Sequence, residues 1–502
     1  MKRYGYTKRF FILLLALWMV FAAGCASSLP VETEPATTAQ TQTAENKTEV
    51  KEEEKILPDP EGAVASVPVE GLGLNGWALQ DFIIVYSEKE PDYTARAAQW
   101  LKDTIQSRTG VELKLTTTEQ QKEPAEHEIV VGETDRDISK ALDANAEGFQ
   151  CSYLARRGHV ALEGEAFAIA AAAYRFAEDY LKGTHVPAEI TVAEPITAAP
   201  KNFIVMIGDG MGQNQTKLFE AFKDNRVVDY TDGEDSFYGL LFPNKGLART
   251  DNIKGSTTDS AASATALATG IKTTNGRIGR SEADEDLLSI TELAASRGMA
   301  TAVMSTEVSS GATPSGFSAH ATDRGDTEDI LASQKALQDK YGTIISCDYN
   351  VYKKSELEAL ETALVQNLNT LFADPDGSFM MYEEAHIDKH CHSNKLTEAF
   401  RALARFDQAI GLVMEQAFYH PETVVIITAD HETGGLIRRG EGKFNFSSES
   451  HTDAKVPVFA FGQGTEVFHD QTIENVQIPK TLAKMFGGVL AAETDAQYPP
   501  LL

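Results

Sequence analysis

Ser260 stands at the head of a run of small residues that extends to Gly270, after the polar segment Gly255 to Asp259. Alanines and threonines there predict a helix with almost no bulk, so neighbouring elements can approach closely. The unpaired N–H groups and positive dipole end of such a helix favour an anion beside its first residue. A serine so placed becomes a nucleophile only if something lowers its pKa. An N-cap hydroxyl on a buried helix is the ordinary meaning of such a segment. What sets this one apart is the supply of carboxylates and imidazoles elsewhere in the chain. Asp209 lies in Gly208-Asp-Gly-Met-Gly212, Glu383 follows an apolar run, Asp388 and His392 are four apart and share a helical face, Asp430 and His431 are adjacent, and His451 precedes another apolar run. Carboxylates with histidines suit zinc, and carboxylates with a hydroxyl suit magnesium. Each motif alone is weak evidence; their joint occurrence at strand ends is what chance rarely supplies.

The elements that must position these groups are legible as periodicity. Continuous apolar runs at Asn202 to Ile207, Ala300 to Ser305, Ser378 to Tyr382, Thr423 to Thr428 and Val456 to Gly462 predict buried strands. Helical patterns span Ile290 to Ser296 and Leu396 to Phe418. Strand–helix alternation with fully apolar strands predicts an α/β fold, a doubly wound and largely parallel sheet. Functional groups collect at the carboxyl ends of strands in such sheets. A smaller α/β unit is expected over 61–195. It has strands at Phe82 to Tyr86, Val111 to Leu115 and Glu128 to Gly132, and a hairpin at Tyr153-Leu154 and His159 to Leu162. Its helices are Tyr93 to Thr109 and Phe167 to Leu181. This segment resembles the accessory domains at the N-termini of several polysaccharide-active enzymes, and it shows no cluster of catalytic groups. The expected division is 1–24 a signal segment, 25–60 a linker, 61–195 the small α/β domain, 196–490 the catalytic domain and 491–502 a C-terminal tail.

The first residues read as an export signal. Lys2, Arg3, Lys8 and Arg9 precede an apolar run from Phe10 to Phe21, and Ala22-Ala-Gly-Cys25 follows. That end resembles a bacterial lipobox, which implies cleavage before Cys25, lipid attachment to its thiol and a place on the outer side of the cell membrane. Residues 26 to 60 are rich in Thr, Glu, Ala and Pro and predict an unfolded stalk. The net charge of -29 argues against nucleic acid or an anionic membrane surface as a general partner. Cys151, Cys347 and Cys391 are too few and too irregular for a disulfide framework. They are expected as buried free thiols, with room for one bridge.

From Lys201 to about Gly488 the chain resembles the bacterial alkaline phosphatases. The motifs "GDGMG" from Gly208, "TDSAASATA" from Thr258, "ATP" from Ala312, "AHATDR" ending at Arg324, "IDKHCH" ending at His392, "TADH" ending at His431 and "SHT" around His451 stand in family order. The resemblance implies a phosphate monoester hydrolase with two zinc ions and one magnesium, acting on exported substrates. Ser260 is then the residue that becomes phosphoserine. Asp388, His392 and His451 would hold one zinc. Asp209, Asp430 and His431 would hold the second, completed by Ser260. Asp209, Thr313 and Glu383 would hold magnesium. Arg324 would clamp two phosphate oxygens, oriented by Asp259, and Lys389 would reach the phosphate through water. Small phosphomonoesters are the implied substrates. Family members are often homodimers, and no motif here defines an interface.

Two departures from the family stand out. Gly311 occupies a position where relatives carry Asp or His, which puts magnesium binding in question and raises Glu307 or Glu384 as compensating groups. The interval from His431 to His451 is short, so a more open entrance is expected. His320, His386, His390 and Cys391 receive no metal role from the resemblance. Phosphodiesterases and phosphonate hydrolases of the same superfamily usually place Thr at the nucleophile, and the sulfatase Cys/Ser-X-Pro-X-Arg motif is absent. A surface protein that only captures phosphate or metal remains the alternative from another class.

Overall fold

The structure is a computed structural model that describes residues 64–65, 73–74, 77–142, 148–156, 158–181, 185–186, 191–222, 236–440, 442–490 and 497–502. The expected signal segment, the Cys25 anchor and the linker lie outside them.

Two sheets carry the architecture. The first has strands β1 (Ile83–Tyr86), β2 (Lys114–Thr117), β3 (Glu128–Val131), β4 (Cys151–Arg156), β5 (His159–Gly164) and β6 (Thr191–Ala193), in the order β6-β4-β5-β3-β1-β2. β2, β1, β3 and β5 are parallel, while β4 pairs antiparallel with both β5 and β6. The second sheet has β7 (Asn202–Gly208), β8 (Asn244–Arg249), β9 (Ala300–Ser305), β10 (Ile344–Ser346), β11 (Ser378–Glu384), β12 (Thr423–Thr428), β13 (Val456–Phe461) and β14 (Thr472–Glu474). Its order is β10-β9-β11-β7-β12-β13-β8-β14. The block from β10 to β12 is parallel, and β13 runs antiparallel to β12 and β8. This is the α/β architecture expected from the apolar strands.

β7, β11 and β12 are buried along their whole length, as strands covered on both faces must be. The long helix Leu396–Tyr419 packs on these three strands and also on the helix Ile169–Leu181 beside the first sheet. One hydrophobic core runs through both sheets. Phe149 meets Phe242, Phe418 and Phe461 edge-on, and Trp100 stacks on Tyr419 at 4.4 Å.

Local signals account for some element ends. Ser289 and Glu292 form a reciprocal capping box on Ile290–Ser296. Several boundaries differ from expectation; the strand Ser378–Glu384 and the hairpin Cys151–Arg156 and His159–Gly164 run longer than expected, and two starts come later. The helix Asp92–Thr109 ends on Gly110 in the left-handed conformation, and the chain needs three more residues before β2 starts at Lys114 rather than Val111. A short 3-10 turn, Ala166–Ala168, precedes the helix that starts at Ile169 rather than Phe167. The three described cysteines are free; Cys151 and Cys391 are buried, and Cys347 is partly so.

Candidate active site

Three adjacent parallel strands deliver the acidic groups. Ile207 of β7 lies level with Glu383 of β11 and with Thr428 of β12. Asp209 and Asp430 therefore leave the sheet side by side, two residues beyond that level, and Glu383 sits at it. The turn after β7 depends on Gly210, whose φ of 74° is left-handed. A Cβ there would also lie 2.8 Å from the Asp388 Cα, so glycine lets the turn meet the short helix His386–His392. Ser260 is the first residue of the helix Ser260–Thr269, which is buried throughout. Asp259 caps that helix by accepting from the Ala262 N–H at 2.9 Å.

Two clusters of potential ligand atoms result: Asp209, Asp430 and His431, and Asp388, His392 and His451. In the first, His431 Nε2 lies 3.1 Å from Asp430 Oδ2, 3.6 Å from Asp209 Oδ1 and 3.1 Å from Ser260 Oγ. In the second, His392 Nε2 lies 3.1 Å from His451 Nε2 and 3.3 Å from Asp388 Oδ1. The stacked His431 and His451 rings, 3.6 Å apart, join the two clusters. A pairing of Glu432–Thr433 with His451–Thr452 holds these rings together, so the short interval between them closes as a small antiparallel ladder.

The outer nitrogens of two imidazoles are anchored. His451 Nδ1 lies 2.9 Å from the Thr258 carbonyl, and His392 Nδ1 lies 2.5 Å from that of Glu449. Donation to those carbonyls puts the proton on Nδ1 and leaves both Nε2 lone pairs facing inward, as metal ligation requires.

The electrostatics point the same way. Burial pushes the Asp209 carboxyl well up, reinforced by the charges of Asp430, Asp388 and Glu383. Burial likewise raises Glu383 to about 8, against hydrogen bonding from Ser305. Burial and the neighbouring His451 push His431 well down, which keeps its ring neutral. Asp209 Oδ1, Asp430 Oδ2 and Thr313 Oγ1 are buried without hydrogen-bond partners. Buried carboxylates in such company need a compensating cation. The donor set of carboxylates, neutral imidazoles and a hydroxyl fits divalent metals.

The remaining expected residues lie around these clusters. Arg324 Nη1 reaches Asp259 Oδ2 at 3.2 Å and is partly exposed. Thr313, from the helix Ala312–Ser318, is buried with its hydroxyl near Glu383, whose charged form it favours. Lys389 pairs with Glu307 at 2.7 Å. Glu384 is forked by Arg405 at 2.7 and 2.6 Å. Burial alone would raise Glu384, but Arg405 and His386 take it down to about 2. His320 bridges the Gly279 carbonyl and Glu292, and His390 meets the Tyr352 hydroxyl at 3.3 Å. His386 Nδ1 lies 3.4 Å from Glu384 Oε1, and the Cys391 thiol lies near Gln215.

Several supporting residues have no local signature. Thr433 donates to Asp388, Ser305 donates to Glu383, and Arg405 neutralises Glu384. The one available hint was Arg405 itself, a charge on the apolar face of the long helix that demands a buried partner.

Comparison with known proteins agrees with this geometry. The family model described as alkaline phosphatase matches residues 200–357 and 345–447. Alkaline phosphatase 3 of Bacillus subtilis is 26% identical over 333 residues, which are 56% of this chain and 70% of that protein. Alkaline phosphatase of Escherichia coli is 38% identical over 132 residues, 25% of this chain and 26% of that protein. The solved alkaline phosphatase from the Antarctic bacterium TAB5 is 28% identical, with a TM-score of 0.50, and is matched over 58% of this chain and 99% of its own. The chain belongs to the alkaline phosphatase superfamily. It is accordingly a phosphatase, a hydrolase of phosphate esters.

Proposed function

We propose that the protein hydrolyses phosphate monoesters in two steps through a phosphoserine at Ser260. The Ser260 Oγ–P bond forms as the ester P–O bond breaks and the alcohol leaves. Water then cleaves the phosphoserine and releases inorganic phosphate. Asp388, His392 and His451 would hold one zinc, and Asp209, Asp430 and His431 the other. Asp209, Thr313 and Glu383 would hold magnesium. Such ions, when bound, lower the pKa of a hydroxyl nucleophile and offset charge on the phosphoryl oxygens. Arg324, steered by Asp259, would fork two of those oxygens, and Lys389 would add positive charge. Every one of these groups addresses the phosphoryl end, so the alcohol is read weakly and many monoesters are substrates.

The observation that carries this reading is the Ser260 hydroxyl 3.1 Å from His431 Nε2, beside two carboxylate–histidine clusters. Among the described residues no helix is long and apolar enough to cross a membrane. The lipobox-like segment ending at Cys25 supports export, lipid anchoring and access to substrates outside the cytoplasm. Hydrolysis of a chromogenic phosphate monoester by wild type and Ser260→Ala, with zinc and magnesium present and then chelated, tests the mechanism. Loss of activity in both the variant and the chelated enzyme is expected; an undiminished rate in Ser260→Ala overturns the serine's role.

A further inference from the structure

Gly311 leaves space that another residue fills. A Cβ at 311 would lie 2.9 Å from Glu307 Cγ and 3.2 Å from its Cδ. The Glu307 side chain thus occupies the space that any side chain at 311 would need. Glu307 follows β9, and its backbone is held at both polar groups. Its N–H donates to Ser305 Oγ at 2.9 Å, and its carbonyl accepts from the Asp348 N–H at 2.7 Å. Ser305 is the residue that also donates to Glu383. The Glu307 carboxylate then pairs with Lys389, the neighbour of Asp388, at 2.7 Å. Its charge is felt at Glu383, where it adds to the upward push of burial.

An ion pair between two partly exposed side chains would by itself contribute little. Here the pair links two parts of the site. One end is tied to Glu383 through the shared Ser305 hydroxyl, with Thr313 buried near Glu383 at 1% exposed. The other end is the lysine next to Asp388. Glu384, the other carboxylate raised as a compensating group, is committed to Arg405 and is not free for this role.

We propose that Glu307 is a positioning residue that takes over the space left by Gly311, adding negative charge beside a divalent cation held by Asp209, Thr313 and Glu383 and fixing Lys389 next to Asp388. The role rests on the reading that those three groups hold a third ion.

The test uses the zinc-loaded full chain, dialysed free of magnesium and titrated calorimetrically with Mg²⁺ alone. Wild type is expected to bind one Mg²⁺. Glu307→Gln and Glu307→Ala should bind it about tenfold more weakly or worse, with unchanged zinc content and melting temperature. Gly311→Asp alone must displace the Glu307 side chain and should also weaken binding. Combined with Glu307→Ala it is relieved of the Glu307 side chain and meets only the Val308 carbonyl, 3.0 Å from its Cβ, so it should recover part of the lost affinity, which a merely structural role for Glu307 would not produce. Equal Mg²⁺ affinity in wild type and Glu307→Ala overturns the role of Glu307 while leaving the third ion standing. Wild type that binds no Mg²⁺ overturns the third-ion reading itself and this role with it.

Discussion

Both sheets end their parallel strands in acidic residues, yet the two edges treat those carboxylates in opposite ways. At the edge of the first sheet, Glu119 accepts from the Ser87 hydroxyl and the Glu88 N–H at 3.2 and 3.0 Å, and Glu88 accepts from Thr117 at 3.1 Å. Slight burial is outweighed there by these donors, and Glu119 sits below its ordinary pKa. At the edge of the second sheet, Asp209, Asp430 and Glu383 are buried beside one another and pushed up. Strand-end acids are therefore no guide to chemistry by themselves. What marks a site is burial without enough donors, a state that a folded chain tolerates when a cation completes it.

The largest expected effect contrasts the two edges directly. Ser260→Ala should lower hydrolysis of a phosphate monoester by about 10³-fold or more, as loss of a nucleophile does. Glu119→Gln should leave the rate within twofold of wild type. Equal losses in both would dissolve the distinction between the edges.

Next in size is Arg405→Met, which leaves the buried Glu384 carboxylate without its counter-charge. A stability loss of about 3–5 kcal/mol is expected in urea unfolding. Arg96→Ala makes the weaker counterpart beside the first sheet. Arg96 pairs with the buried Glu415 at 2.6 Å but is itself partly exposed, so about 1–2 kcal/mol is expected, with kcat unchanged. If Arg96→Ala costs more than Arg405→Met, the site's surroundings are not the more tightly built of the two regions.

The pH dependence sharpens the same contrast. Glu384 is lowered from 4.5 to about 2 in the folded protein, so its contribution to stability is present above pH 4.5 and lost as pH falls towards 2. Glu384→Gln should flatten that acid limb in thermal melts. Glu383 is raised from 4.5 to about 8, so in chelated protein its contribution is present below pH 4.5 and lost as pH rises through 8. Metal addition should reverse that alkaline loss, and a melting temperature indifferent to metal at pH 8 would count against a cation site.

Much of this arrangement is legible in the chain. The strands Ala300–Ser305 and Thr423–Thr428 announce themselves as apolar runs with clear ends, and the Ser260 helix as small residues between Asp259 and Gly270. Asp388 and His392 fall on one helical face by their spacing alone. The supports are not legible. Thr433 meets Asp388 across 45 residues and Ser305 meets Glu383 across 78. No local period relates such residues, because strand order rather than spacing makes them neighbours. Gly311 shows the same limit from the other side. Its missing side chain is visible in the sequence and raises Glu307 or Glu384 as compensating groups, but that Glu307 is the one filling the space while Glu384 is held by Arg405 is visible only in the fold.

The central claim is that Ser260 accepts the phosphoryl group, and trapping it is the most direct test. The metal-loaded enzyme would be mixed with a phosphate monoester, quenched in acid and digested for peptide mass spectrometry. The account predicts one added phosphoryl group on the peptide containing Ser260, absent in Ser260→Ala. Turnover with no phosphoryl group on Ser260 at any quench time, or with the group on another residue, would contradict it.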